Sequence, residues 1–182
     1  MSDEKVLIIC QSVHHNNTKK IAEAMAEVLD AKIKKPSEVN VEEVGKYHLI
    51  GFGSGIYWGR HHPSIFKIVD ELTGLIGNKA FIFSTSGTSN AGNFLHNIRH
   101  LVSHFHVHLR RELKNKGIKI IGEFSCRGFD TAGPLKQIGG ISKGKPNQED
   151  LEKAMDFARG ILDSKIRLFK IKNLRKEVNY EK

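Results

Sequence analysis

The sequence predicts a doubly wound α/β fold: a five-stranded parallel sheet in the order 2-1-3-4-5, helices on both faces, three layers α/β/α. Three observations lead there. Short apolar runs of strand length recur along the 182 residues. Segments with helical apolar periodicity separate them, and loops rich in Gly, Ser, Thr and Asn follow the strands. Parallel neighbours cannot be joined by a tight turn, and right-handed crossovers put the connecting helices on both faces of the sheet.

Lys5 to Cys10 (KVLIIC) is nearly continuous apolar sequence, as suits a strand covered on both faces. Ile21, Met25, Val28 and Leu29 then share one side of a helix, with Lys19, Lys20, Glu23 and Glu27 elsewhere. Ala31 to Lys34 is a short second strand, and Val41 to Gly45 a short helix closed by its glycine. Tyr47 to Phe52 (YHLIGF) makes the third strand, Ser64 to Leu72 a helix behind Pro63, and Lys79 to Ser84 (KAFIFS) the fourth strand. A long helix is expected over Phe94 to Lys116, because Leu95, Ile98, Val102, Phe105, Leu109 and Leu113 fall in one sector before Gly117. Ile118 to Ser125 (IKIIGEFS) is the fifth strand. The last helix, Asn147 to Leu162, buries Leu151, Ala154, Met155, Ala158, Ile161 and Leu162, with Asn147 and Asp150 at its start.

Hydrophobic residues at 39% and charged residues at 27% fit a globular domain rather than a disordered or fibrous chain. No apolar run approaches the roughly 20 residues that span a bilayer. Met1 to Lys5 lacks signal-peptide character, so a cytoplasmic protein is expected. Cys10 and Cys126 read as free thiols. They have no CxxC spacing, and the predicted strand order separates their strands too widely for a bridge. Of the net charge of +9, Lys165 to Lys182 holds +5, seven Lys/Arg against two Glu. Residues 1–164 are therefore expected to form the domain and 165–182 a basic C-terminal tail.

In this fold ligands bind beyond the C-terminal strand ends, near the switch point between strands one and three. Ser12-Val13-His14-His15-Asn16-Asn17-Thr18 lies there, ahead of a helix N-terminus whose free N–H groups and dipole favour an anion. Ser12, Asn17 and Thr18 add hydroxyl and amide donors; ordinary helix capping would account for the same residues. No GxGxxG follows the first strand and no GxxxxGK[ST] occurs, which removes support for dinucleotide and triphosphate folds. Gly53-Ser54-Gly55-Ile56-Tyr57-Trp58-Gly59-Arg60 combines glycines with two aromatics, the only tryptophan among them, and suits a flat ligand. Ser84 to Asn93 is a third polar loop, with Thr85, Ser86, Gly87, Thr88, Gly92 and Asn93 as candidates.

QSVHHNNTKKIA resembles the phosphate loop of the flavodoxin family, S/T-x-T-G-x-T leading into the first helix. The resemblance runs from Lys5 to about Leu162. It departs at the glycine, for which Asn16 stands in because Asn tolerates left-handed backbone, and at His14 and His15, which replace Ser/Thr. What it implies is flavin mononucleotide (FMN). Ser12, His14, His15, Asn16, Asn17 and Thr18 would hold the phosphate. Ser54, Gly55, Ile56, Tyr57, Trp58 and Gly59 would meet the ring together with Thr85, Ser86, Gly87, Thr88, Gly92 and Asn93. The protein would then be an oxidoreductase carrying electrons between protein partners, the flavin supplying the redox chemistry. A flavodoxin-like NAD(P)H:quinone oxidoreductase with a small quinone-like acceptor, its substrate pocket shaped by Trp58, Phe129 and the long connection after the fifth strand, is the alternative, and a cofactor-free binding module of the same fold is the third.

Ser125 to Pro146 is a connection longer than most ordered loops, which hints at function. Its Cys126 reads as a structural thiol rather than a redox one. His96, His100, His104 and His108 recur at metal-chelating spacing, but they lie opposite the apolar sector of their helix, so a solvated face is expected and no metal. The tail interleaves Leu168, Ile171 and Leu174 with lysines and arginines. It suits an anionic surface, a partner with an acidic face, or simply solvated lysines on an added helix. Nucleic acid is not expected as a partner.

Overall fold

A computed structural model of the chain describes residues 5–88 and 104–163. Its elements are β1 (Val6–Gln11), α1 (Asn17–Leu29), β2 (Ala31–Lys34), α2 (Val41–Val44), β3 (Leu49–Tyr57), β4 (Arg60–His61), α3 (Pro63–Glu71), β5 (Lys79–Ser86), α4 (Val107–Asn115), β6 (Lys119–Arg127) and α5 (148–163). The parallel strands follow the path β2-β1-β3-β5-β6. Counted as parallel strands alone, this is the expected 2-1-3-4-5 order.

Each face of the sheet has its own core, because successive strand residues point to opposite sides. Leu7, Ile9, Ile50, Phe52 and Ile82 pack under α3 and α4, against Ile65, Val69, Leu109 and Leu113. Val6, Ile8, Leu49, Phe81 and Phe83 pack under α1 and α5, against Ile21, Met25, Ala154 and Ala158. Gly51 and Gly53 serve the second face. They pair with Phe81 and Phe83 on β5, and a Cβ at either glycine would overlap the phenylalanine ring beside it.

Several boundaries differ from the sequence expectation. β5 continues to Ser86 and β6 to Arg127, their pairing carried on through Thr85 with Cys126 and Ser86 with Arg127, so these four are strand residues rather than loop. β3 runs on to Tyr57, so Ser54 to Tyr57 are strand residues rather than loop. It then folds back into β4, an antiparallel pairing of Ile56 with His61 and Tyr57 with Arg60 that alternation alone does not announce. The long helix is a 3₁₀ turn at His104–His106 followed by α4, within the described residues. Its expected beginning at Phe94, with Leu95, His96, Ile98, His100 and Val102, lies outside them, as do Gly92, Asn93 and the tail 165–182.

Candidate functional site

The loops after β1, β3, β5 and β6 enclose a cavity of about 430 Å³ at the C-terminal edge of the sheet, a size typical of small-molecule sites. Ser12, His14, Asn17 and Thr18 line it with Gly55, Ile56, Tyr57, Trp58, Gly59, Thr85, Ser86, Gly87 and Thr88. Three candidates lie elsewhere. Ser54 is buried and absent from that lining, while His15 and Asn16 turn to a second depression shared with Lys20, Phe129 and Lys145.

Asn16 takes the left-handed conformation, φ 54°, expected of a glycine substitute, and His15 joins it at φ 53°. Asn16 caps α1 by position, yet its side chain makes no cap hydrogen bond, and the first turn holds no acidic residue. Two expected donors are already committed. Asn17 Nδ2 donates to the Phe129 carbonyl at 2.7 Å, and the Thr18 and Thr85 hydroxyls share a buried hydrogen bond of 2.8 Å. The Ser12 hydroxyl is different: its oxygen is buried and without a hydrogen-bond partner. An unsatisfied buried hydroxyl carries a desolvation penalty. An anionic oxygen lodged between it and the uncapped, positive end of α1 would relieve both. This chain's residues therefore fit a phosphate group at the base of the cavity.

The β3–β4 hairpin forms the next wall. Its two loop residues, Trp58 and Gly59, have φ 51° and 79°, the pair of positive values a type I′ turn demands. Trp58 stands fully exposed at the tip. Tyr57 leans edge-on against His62 at 5.5 Å and lies 6.1 Å from the His14 ring. Burial pushes its phenol above the ordinary value, against a hydrogen bond to the Val13 backbone.

The third wall is the long connection after β6, where Phe129 is a pocket residue expected from the sequence and its companions are not. Phe129, Asp130, Ala132, Gly133, Pro134, Leu135 and Ile141 line the cavity, and Phe105 joins them. This connection is pinned to its neighbours. Gly128 N donates to Ser86 O at 2.9 Å, Ser142 Oγ to Gly87 O at 2.8 Å, and Asp130 and Ile141 exchange both backbone bonds. A Cβ on Gly87 would meet Asp130, and one on Gly128 would meet Asn17. Burial lifts the Cys126 thiol to about 12, which keeps it protonated, and does the same to Cys10; both cysteines are free.

A buried polar network beneath the cavity escaped the sequence reading. Ser54, Ser84 and Ser125 are register partners on β3, β5 and β6, and histidines meet the first two. Ser54 Oγ accepts from His62 N at 3.0 Å and donates to Gly55 O at 2.8 Å, so His61 Nδ1, at 2.9 Å, must supply the remaining proton. His61 Nε2 is then a bare lone pair, buried and unpartnered. Burial and the neighbouring His106 hold His61 well below its ordinary pKa. His106 lies 5.0 Å away, ring to ring. Its Nε2 meets Ser84 Oγ at 2.8 Å and its Nδ1 meets Glu123 at 3.0 Å. Burial lowers its pKa despite that carboxylate. Burial alone would raise Glu123, but the Arg110 fork, at 2.6 and 2.8 Å, and the His106 bond bring it down to about 2. The network ties the Trp58 hairpin to the segment that carries Phe105.

His104 is exposed and His108 half-buried, and no group of three or more His, Cys, Asp or Glu gathers as a metal site among the described residues. No helix among those residues is long and apolar enough to cross a membrane.

A doubly wound sheet in this order, with its loop ahead of α1 shaped for an anion, defines a flavodoxin-type α/β domain. Residues 7–117 match the sequence profile of the flavodoxin domain family, and this chain belongs to that family. An uncharacterised protein of Methanocaldococcus jannaschii is 46% identical over 158 residues, covering 87% of this chain and 98% of its own. Among solved structures, flavodoxin 2 of Bacillus cereus superposes with a TM-score of 0.63 at 18% identity, over 88% of this chain and 99% of that one. A flavodoxin from the domain Archaea gives 0.62 at 14% identity, over 88% and 97%. Rubredoxin oxygen:oxidoreductase of Desulfovibrio gigas gives 0.61 at 15%, with 86% of this chain matching 34% of that larger one. These likenesses establish the fold, and membership of the family implies a flavin.

Proposed function

We propose that this chain binds FMN and carries electrons between protein partners. The observation that carries the reading is the orphaned Ser12 hydroxyl beside the uncapped N-terminus of α1. Ser12, His14 and the first-turn N–H groups of α1 would receive the phosphate. Asn17 and Thr18 hold the surrounding loops, and His15 and Asn16 shape the turn. Gly55, Ile56, Tyr57, Trp58 and Gly59 would cover the ring from one side and Thr85, Ser86, Gly87 and Thr88 from the other. Ser54 positions Gly55 from beneath, and Gly92 and Asn93 would extend the second ring loop. Bound flavin supplies the reversible redox chemistry; the chain's own residues position it and exclude water. Residues 1–164 form the working domain in this reading, with 165–182 as a basic tail, in a cytoplasmic setting.

One observation favours a second reading, a flavodoxin-like NAD(P)H:quinone oxidoreductase. Phe105, Phe129, Pro134, Leu135 and Ile141 give the cavity an apolar wall that a quinone-like acceptor would share. Titration of the purified protein with FMN, followed by visible absorbance, tests the first reading. Saturable binding at about one per chain is expected. A colourless protein that takes up no flavin would overturn both readings and leave the cofactor-free binding module. Steady-state NAD(P)H oxidation with a quinone separates the two redox readings.

A further inference from the structure

We infer that His61, in its neutral form, is a positioning residue for the hairpin wall of the cavity, and that a proton taken at its Nε2 releases that wall. The β3–β4 hairpin supplies Ile56, Tyr57, Trp58 and Gly59 to the lining, while Ser54 and His61 are buried beneath it. β3 is held by the sheet on both sides, but among the described residues β4 pairs with nothing except the end of β3. The tip adds no anchorage, since Trp58 is fully exposed. Polar anchorage of β4 converges instead on one hydroxyl. Ser54 Oγ accepts from His61 Nδ1 at 2.9 Å and from His62 N at 3.0 Å, and donates to Gly55 O at 2.8 Å.

The two buried histidines differ in what an added proton would meet. His106 Nδ1 donates to Glu123, and its Nε2 faces Ser84 Oγ, which lies 3.2 Å from Ser125 Oγ. A proton at that Nε2 only turns the bond round, with Ser84 then donating to Ser125, and the charge rests against a carboxylate. His61 has neither provision. Its Nε2 is buried and without a partner, so a proton there would be an unmet donor bearing a full charge. The titratable and charged groups around it give no relief. The His106 ring is 5.0 Å away, Glu123 beyond it has both oxygens engaged by Arg110 and His106, and the adjacent His62 accepts from Ser64 N through Nδ1. Burial and His106 accordingly hold His61 well below 6.5. The proton is accommodated once β4 lifts and Nε2 meets water, where the ordinary value applies. Opening of the hairpin therefore gains a factor of about ten for each pH unit below 6.5.

Amide exchange of the ligand-free protein reads this opening at the His62 N–H, which is bonded to Ser54. Its protection is expected to drop about tenfold between pH 6.5 and about 5.5, while the amides of Ile9 and Phe83 in β1 and β5 stay better protected. H61N keeps a donor for Ser54 and takes no proton, and should lose the slope. H106N keeps a donor for Glu123 and H62N an acceptor for Ser64; both should retain it, which decides the matter even if H61N fails to fold. No slope in the wild type, a slope surviving in H61N or lost in H106N or H62N, or His62 exchange no faster than that of the core strands would overturn the proposal. FMN affinity reads the consequence for the cavity, since binding that needs the closed wall weakens with its population. Between about pH 7.5 and 5.5 the wild type should lose at least about threefold more affinity than H61N. The phosphate and His14 titrate in both proteins, so the difference belongs to His61, and equal losses would overturn its positioning role. The affinity comparison rests on the function proposed above and the exchange measurement does not. If no flavin binds while the His62 slope behaves as expected, the proposed function falls and the release of the hairpin stands.

Discussion

At the scale of single residues, the site separates side chains that hold the protein together from one left free. Asn17 and Thr18 are committed to Phe129 and Thr85, partners 112 and 67 residues away. No local pattern could reveal that commitment, although the residue types were legible as donors. Ser12 is uncommitted. Ser12→Ala should therefore leave the melting temperature of the apo protein unchanged or slightly raised, since it deletes an unsatisfied group. It should weaken FMN binding about tenfold or more, the range for losing a hydrogen bond to a charged oxygen. Equal FMN affinity in the variant would remove Ser12 from the phosphate site. His61 and His106 were illegible for the same reason as Asn17: they meet across 45 residues of sequence. Their serine partners did leave a trace, because Ser54, Ser84 and Ser125 each close an apolar run, in GFGS, FIFS and GEFS.

At the scale of elements, alternation of apolar runs and amphipathic segments was sufficient for the sheet order, because crossover handedness leaves few topologies. Strand ends were less legible. Gly53 and Gly55 look like loop residues, yet the register continues through them, Gly53 pairing with Phe83 and Gly55 with Thr85. Gly53, like Gly51, makes room for a ring of β5, a relation between strands that neither strand announces alone, whereas Gly55 lies against Tyr57 of its own strand. Gly53→Ala would force a methyl into the Phe83 ring. Overpacking of this kind costs about 1–3 kcal/mol. A lower urea midpoint with an unchanged m-value is expected, and Phe83→Leu in the same chain should recover part of the loss. An unchanged midpoint would show that the sheet can yield there. The hairpin of β3 with β4 was hidden because Trp occupies a turn position that normally signals itself through Asn or Asp.

At the scale of the molecule, the buried network makes stability depend on pH. His61 and His106 are held below the ordinary histidine value of 6.5 and Glu123 below the ordinary carboxyl value of 4.5. All three bind protons less readily folded than unfolded, so their stabilisation is fully present above the unfolded values and is lost as pH falls. The melting temperature should hold steady from pH 8 to 7, begin to fall near 6.5, and fall again below 4.5 as Glu123 is forced toward protonation at about 2. For a chain of this size, each 1 kcal/mol lost corresponds to roughly 2–4 °C. His61→Asn keeps a donor for Ser54 and should flatten the upper part of the decline. Glu123→Gln should flatten the lower part while lowering stability at neutral pH, because Arg110 and His106 lose a charged acceptor. A wild-type melting temperature flat from pH 7 to 5 would contradict the neutral, buried state of the histidines.

The hairpin tip has a practical consequence. The only tryptophan in the chain is Trp58, and in the folded protein it is already as open to water as it would be unfolded. Its emission should barely change on denaturation, so the optical signal usually read as folding is nearly silent here. The same indole stands at the entrance to the cavity, where anything that enters or settles over the mouth must pass close to it. In this chain tryptophan fluorescence is a gauge of occupancy.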